Sequence, residues 1–168
     1  MASKKPGKVK SGLGTLIGNA GEYYVMAELL KRGVVAGLMP RNAPSFDILA
    51  TRGNRTVRIR VKTKSAQYDN WRWIVKKDKT LFRELSREGD FTVLVNLAAE
   101  TKDLEYFVIP THELNQWLCD GFEEWRSTPG KNGRQRDSEN PMRALYFSTE
   151  AKRLEPFRNA WDSLWRAV

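Results

Sequence analysis

The stretch that decides the fold is SFDILA at residues 45–50, followed by the run VRIRVKTK at residues 57–64. Between them lies RGNR, residues 52–55, whose glycine and asparagine are typical of a tight turn. The second run alternates apolar and basic residues, which is the pattern of a half-buried β-strand. The two runs therefore predict a β-hairpin, with Asp47 at the start of its first strand.

Side chains two residues apart in a strand lie on the same face of the sheet. The apolar face of the second strand is expected to pack on the core, and the other face carries four cations, Arg58, Arg60, Lys62 and Lys64. This face could bind phosphate groups, or it could be the solvated side of a half-buried strand. Four cations without an acid among them favour phosphate binding. We therefore predict Arg55, Arg58, Arg60 and Lys64 as nucleic-acid-binding residues.

The rest of the chain combines helical and strand patterns. Apolar residues at helical spacing predict a helix over 14–32, ended by Gly33. Further strands are predicted at 34–39, 71–75, 91–97 and 104–110, helices at 113–125 and from Thr149 to Trp165, and an exposed loop at 127–141. Thr111 and Thr149 are the predicted N-caps of the last two helices. This order indicates an α/β fold with helices packed around a mixed sheet.

Length and composition set the frame for function. The chain has 168 residues, and we expect one domain over residues 14–168 after a disordered basic tail, residues 1–13. No apolar run approaches the ~20 residues of a membrane helix, and no secretory signal is recognised. One cysteine and one histidine exclude an internal disulfide and any site that needs two histidines. We expect a cytoplasmic protein without a membrane partner.

Charge gives the first indication of a partner. Lysine and arginine number 29 against 20 acids, a net charge of +9. The excess is concentrated in residues 4–10 and 51–64, which contain no acid. Such clusters favour a polyanionic partner, because cations that meet phosphates release condensed counterions. The alternative is that the charge only keeps the protein soluble.

Three short motifs follow one another in the predicted order helix, strand, strand: GNAGE at residues 18–22, SFDILA at 45–50 and RVKT at 60–63. Their order and spacing resemble those of the PD-(D/E)XK nuclease superfamily, with its Holliday-junction-resolvase-like and restriction-endonuclease-like branches. The resemblance covers residues 14–64 and extends more weakly over 91–118. It implies an α/β, restriction-endonuclease-like fold in which helices flank a mixed β-sheet.

The resemblance also implies a function and a set of site residues. It implies a DNA-binding endonuclease that hydrolyses phosphodiester bonds with Mg²⁺ or Mn²⁺, with a homodimer as the expected assembly. Glu22 and Asp47 match the acids that bind the metal, and Lys62 matches the lysine that steadies the attacking water. These three are the implied catalytic residues. Such hydrolysis needs a hard cation held by oxygen ligands, and a nearby lysine stabilises the added negative charge.

Arg60 departs from the pattern of the superfamily, which has an acid or a glutamine two residues before the lysine. Arginine only donates hydrogen bonds, and its charge weakens the binding of a metal ion. Two outcomes remain open. Glu22 could supply the missing oxygen and leave an atypical nuclease, or the metal site is lost and Arg58, Arg60 and Lys62 bind phosphates without cutting. A third outcome is that another acid of the chain, such as Asp69, takes a place in the site.

We take the Mg²⁺-dependent endonuclease as the predicted function, with a catalytically inactive nucleic-acid-binding protein as the alternative. A third hypothesis is a scaffold that binds an acidic protein partner. Trp71 and Trp73 lie two residues apart and could stack on bases. We favour a place in the core for both, because aromatic residues in strands mostly pack there.

Overall fold

A computed structural model describes residues 12–40, 43, 45–85, 87–97, 102 and 104–166, so nearly all of the predicted basic tail lies outside the described residues. The helices and strands are, in chain order, α1 (Leu13–Lys31), β1 (Val35–Leu38), β2 (Ile48–Arg52), β3 (Arg55–Ser65), β4 (Asn70–Ile74), β5 (Asp90–Leu97), β6 (Glu105–Pro110), α2 (Thr111–Ser127), β7 (Met142–Tyr146) and α3 (Phe147–Leu154). Short 3₁₀ turns lie at Lys131–Gly133, Glu155–Phe157 and Trp161–Trp165. None of the helices in the described part of the chain has the length and apolar character needed to cross a membrane.

Five strands form one mixed sheet in the order β1-β2-β3-β5-β6. β3 and β5 are parallel, and the other neighbouring pairs are antiparallel. A parallel pair needs a long crossover connection, and the chain supplies one with β4 and the segment that follows it. The predicted α/β fold, a mixed sheet flanked by helices, is confirmed.

The predicted hairpin is formed by β2 and β3. Ile48 lies opposite Ile59, and Arg52 lies opposite Arg55. Gly53 in the turn has a φ of 59°, a left-handed conformation that glycine adopts without strain. The alternation is also confirmed, because Val57, Ile59 and Val61 are buried. The start of β2, and with it Asp47, therefore lies beside the middle of β3.

Both faces of the main sheet are covered by apolar residues. On one face, which we call the helix-side core, Val25 and Leu29 of α1 pack with Val61 of β3 and with Trp161. The opposite face carries a tryptophan-side core, in which Trp71 and Trp73 of β4 pack with residues of α2 and α3. These two tryptophans are thus core residues, as favoured from the sequence.

β4 does not join the main sheet. It pairs antiparallel with β7, from Asn70 opposite Tyr146 to Ile74 opposite Met142. The sequence predicts the strand but not this partner, because β7 follows a long exposed loop far along the chain. The small sheet holds its tryptophans over the basic face of β3, where Lys62 and Lys64 lie above their rings.

The predicted N-cap of α2 is wrong. The helix begins at Thr111 itself, and its N-cap, Pro110, makes no side-chain hydrogen bond to the helix. The Thr111 hydroxyl lies 2.9 Å from that of Thr92, and both residues are buried. A buried hydroxyl needs a partner inside the protein, and here this tertiary contact prevails over the local capping preference.

The predicted final helix is present, but its predicted N-cap and its predicted extent are wrong. α3 begins at Phe147 instead of being capped by Thr149, and it ends at Leu154. Pro156 lies in the 3₁₀ turn that follows, and proline cannot continue an α-helix because it lacks the N–H and its ring clashes with the preceding turn. As a result the C-terminal aromatic residues are divided: Trp161 packs in the helix-side core and Phe157 against the tryptophan-side core.

Candidate functional site

Asp47 is fixed in the hairpin by its main chain and by its side chain. Its backbone N–H donates to the Ile59 carbonyl at 2.9 Å, and its Oδ2 accepts a hydrogen bond from the Val61 N–H at 2.7 Å. The carboxylate therefore continues the ladder between β2 and β3 just before β2 begins. This leaves the second oxygen, Oδ1, to face other groups.

Two cations of β3 complete a cluster around this carboxylate. Asp47 Oδ1 lies 3.3 Å from Arg60 Nη1, and 39% of the Arg60 side chain is exposed against 18% for Asp47. Lys62, the next residue on the same face, has its Nζ 5.6 Å from the centre of the Trp73 ring, and its charge also acts on Asp47. The structure therefore brings together Asp47 and Lys62, two of the three residues that the resemblance implies. Arg60 is paired with Asp47 and lies two residues before Lys62 in β3.

Burial shifts both titratable groups of this cluster toward their neutral forms. The pKa of the Asp47 carboxyl is raised, chiefly because burial disfavours the charged form, while Arg60, the Val61 N–H and Lys62 oppose the shift. The pKa of the Lys62 amine is lowered, first by burial and then by the charge of Arg60, against the attraction of Asp47. Shifted pKa values are concentrated at functional sites, which marks this cluster as the candidate site.

Lys62→Met should stabilise the fold by removing a charge that burial disfavours. Because the folded-state pKa of Lys62 lies below 10.5, the cost of its charge is fully present below that pKa and vanishes as the pH rises past the unfolded value. We expect the melting temperature to rise by a few degrees at neutral pH, with the gain shrinking toward pH 10.5. Thermal unfolding across this pH range measures it, with Lys31→Met as a control at an exposed position. A melting temperature below that of the wild type at neutral pH would contradict the expectation.

Arg58 lies on the same face but in a different environment. Its Nε and Nη2 donate to the two carboxylate oxygens of Asp90 at 2.7 and 2.8 Å, and Nη2 also donates to the Glu84 carbonyl at 2.8 Å. The guanidinium lies over the Phe46 ring as well. From the sequence, the four cations on this face of β3 are expected to have no compensating acid. This expectation is wrong for Arg58, because Asp90 of β5 neutralises it.

Lys64 and Arg55 are also used within the chain. Lys64 is 7% exposed, and its Nζ donates to Asn96 Oδ1 at 2.6 Å and to the Tyr68 carbonyl at 3.1 Å. The Arg55 Nε donates to the Leu164 carbonyl at 2.9 Å. These contacts give Arg55, Arg58 and Lys64 structural roles, and a role in nucleic-acid binding stays a prediction for them.

Glu22 lies half-buried on α1, directly after Gly21. Gly21 packs against Thr63, the residue that follows Lys62 in β3, since a Cβ on Gly21 would lie 1.8 Å from Thr63 Oγ1. The helix acid therefore stands on the element that packs beside the site strand. Its catalytic and metal-binding roles stay predictions.

The described side chains do not fit a Mg²⁺ ion as they stand. Such an ion takes oxygen ligands in near-octahedral geometry, but Asp47 uses one oxygen for the Val61 N–H and directs the other at Arg60. Asp69 is held by Ser148 at the start of α3. Within the described ranges, no three histidine, cysteine, aspartate or glutamate residues lie close enough together to hold a metal.

Sequence reasoning missed Asp90 as a determinant of the basic face. Asp90 opens the apolar strand β5, as Asp47 precedes β2, so the same signal of an acid at the start of a strand marks both. Asn96 accepts a hydrogen bond from the Lys64 ammonium. It carries no such signal, because nothing in the local sequence connects it with β3.

The comparisons with known proteins bear on the fold. No protein-family model and no curated protein matches the chain. The solved bacterial homing endonuclease I-Ssp6803I is similar over 91% of this chain and 93% of that chain, with 16% identity and a TM-score of 0.52. Hjc, a Holliday junction resolvase from the archaeal hyperthermophile Archaeoglobus fulgidus, matches over 80% of this chain and 88% of its own, with 16% identity and a TM-score of 0.45. The restriction-endonuclease-like fold that the motifs imply is confirmed.

Proposed function

We propose that this chain is a DNA-binding protein of the PD-(D/E)XK nuclease type, which contacts the DNA backbone through the Asp47–Arg60–Lys62 cluster. The observation that carries the proposal is this cluster, in which two cations share a strand face with one acid. A cleft of about 280 Å³ adjoins it, lined by Lys62, Arg72 and Tyr68 among others. The endonuclease name of the fold neighbour supports the same reading.

The physical reason is that cations at this site are accessible from solvent. Arg60 is 39% exposed and Arg72 is exposed, so a phosphate can approach both from solvent. Each phosphate neutralised by a lysine or arginine releases a counterion, which makes the affinity depend on salt. Guanidinium groups also match phosphate geometry with two parallel hydrogen bonds.

The test is the salt dependence of binding to duplex DNA, followed by fluorescence anisotropy. Lys62→Gln and Arg72→Gln should each weaken binding and lower the slope of log affinity against log salt by about 1. Lys31→Gln, at the far end of α1 from the residues that line the cleft, is the matched control and should change neither. A wild type that binds no DNA, or cleft variants that behave like Lys31→Gln, would leave the scaffold hypothesis in its place.

A second candidate function is Mg²⁺- or Mn²⁺-dependent hydrolysis of phosphodiester bonds, with Glu22, Asp47 and Lys62 as the catalytic residues. The observation in its favour is that Asp47 lies beside Lys62, whose pKa is lowered. Branched, linear and single-stranded DNA, incubated with either metal, test it. The candidate fails if the wild type and Asp47→Ala are equally inert on all three substrates.

A homodimer is part of the proposal, because two copies would present one site to each strand of a duplex. Sedimentation equilibrium with and without duplex DNA measures it. A protein that stays monomeric in both conditions would contradict the homodimer and leave the proposed DNA binding unaffected.

A further inference from the structure

Arg60 stands on the side of Asp47 where a cation would be bound. Asp47 Oδ2 is engaged by the Val61 N–H, and Arg60 Nη1 lies 3.3 Å from the other oxygen, Oδ1. The guanidinium therefore supplies a positive charge to this carboxylate without a metal. This position in β3 is also the one that the resemblance assigns to an acid or glutamine facing the metal.

Arg60 is held much more loosely than its neighbour Arg58. Arg58 has three hydrogen bonds to Asp90 and to a carbonyl, whereas Arg60 makes only an ion pair, with Asp47, among the described residues. A guanidinium has five N–H donors in a planar fork. Most of the donors of Arg60 are thus available to a ligand, on a side chain that is 39% exposed.

The charges of the cluster suit a phosphodiester. Arg60 and Lys62 are two cations, and Asp47 offsets one of them, which leaves one positive charge in excess. A DNA phosphodiester carries one negative charge. Asp47 would then hold Arg60 in place and offset part of the repulsion between the two cations. Burial first, and then this repulsion, lowers the pKa of Lys62, while Asp47 acts in the opposite direction.

We infer that Arg60 takes the place of the metal: the site binds a DNA phosphate through Arg60 and Lys62 without a divalent ion, and Asp47 is a positioning residue for Arg60. The inference rests on the DNA binding proposed above. It decides between the two candidate functions, because a site arranged in this way binds DNA and does not hydrolyse it.

The first test compares DNA affinity in EDTA and in Mg²⁺ at equal ionic strength. Wild-type affinity should be the same within about twofold, and Arg60→Gln should bind about tenfold more weakly in both conditions, as expected for a lost charge-assisted hydrogen bond. Arg60→Lys should restore part of the loss, and Lys31→Gln controls for the loss of one charge elsewhere. Wild-type binding that needs Mg²⁺, or Arg60→Gln binding like the wild type, would overturn the inference.

The second test measures Mn²⁺ binding to the free protein by calorimetry. The wild type should show no binding that Asp47→Asn abolishes, and Arg60→Glu should create a Mn²⁺ site that Asp47→Asn removes. Asp47-dependent Mn²⁺ binding or DNA cleavage by the wild type overturns the inference, as does an Arg60→Glu variant that is folded and binds no Mn²⁺. A wild type that binds no DNA at all is a different result and removes the proposed function itself.

Discussion

Arg58→Ala should lower the free energy of unfolding by about 3 kcal/mol, the low end of the cost of leaving one partner of a buried ion pair alone, because the Arg58 side chain is 26% exposed. The Asp90 side chain is 2% exposed, and Arg58 donates to both of its oxygens. Asp90 also accepts the Arg87 N–H at 2.8 Å. Without Arg58, the carboxylate would keep only this one of these three hydrogen bonds. Urea denaturation measures the loss.

Arg60→Ala is the matched control, two residues along the same face of β3. Its ion pair with Asp47 is partly exposed, and such pairs contribute at most about 1 kcal/mol. The double variant Arg58→Ala/Asp90→Asn should recover part of the lost stability, because asparagine leaves no charge to be buried. Equal losses for Arg58→Ala and Arg60→Ala would show that the Asp90 pair is not what distinguishes the two arginines.

These two arginines show which features of the site can be predicted from the sequence and which cannot. The period of a strand is local, so the alternation correctly places Arg58 and Arg60 on one face and the valines on the other. Their partners are not local: Asp90 lies on β5, beyond a crossover. A sequence pattern therefore predicts which face a cation occupies, but not whether another strand neutralises it.

The same difference between local and non-local contacts explains which parts of the fold could be predicted. The hairpin and α1 follow from local spacing, turn residues and a glycine stop, and the predicted elements agree with them. The pairing of β4 with β7 joins segments on either side of α2, and no periodicity encodes it. Thr111 is a favourable capping residue by type, yet its hydroxyl is used by Thr92 in the core. Tertiary contacts decide each of these cases.

The candidate site was predictable in part for a related reason. An acid that precedes a buried strand and a lysine on the next strand must lie close together once the hairpin forms, which brings Asp47 near Lys62. Whether Arg60 would point at Asp47 or at solvent depends on side-chain geometry that the sequence does not encode. Because Arg60 lies against Oδ1 of Asp47, the site favours phosphate binding over metal binding.

Gly21→Ala should lower the free energy of unfolding by about 3 kcal/mol, because α1 has no room for a methyl group at its contact with β3. The added Cβ would lie 1.8 Å from Thr63 Oγ1 and 2.9 Å from its Cβ, so the helix would have to move away from the strand. Gly18→Ala is the matched control on the same helix. A Cβ there meets nothing within 4 Å, and alanine should stabilise the helix by up to about 1 kcal/mol.

Thr63→Gly tests whether the crowding is the cause, since it removes all the side-chain atoms that the new methyl group would meet. Glycine within a strand is itself unfavourable by about 0.5–1 kcal/mol, so the single variant should be less stable than the wild type. Combined with Gly21→Ala, it should nevertheless give a protein more stable than Gly21→Ala alone, with a coupling free energy of about 2 kcal/mol. Additive losses would mean that α1 does not rest on β3 through Gly21. Since Glu22 follows Gly21 and Lys62 precedes Thr63, this contact also sets how far the helix acid stands from the site strand.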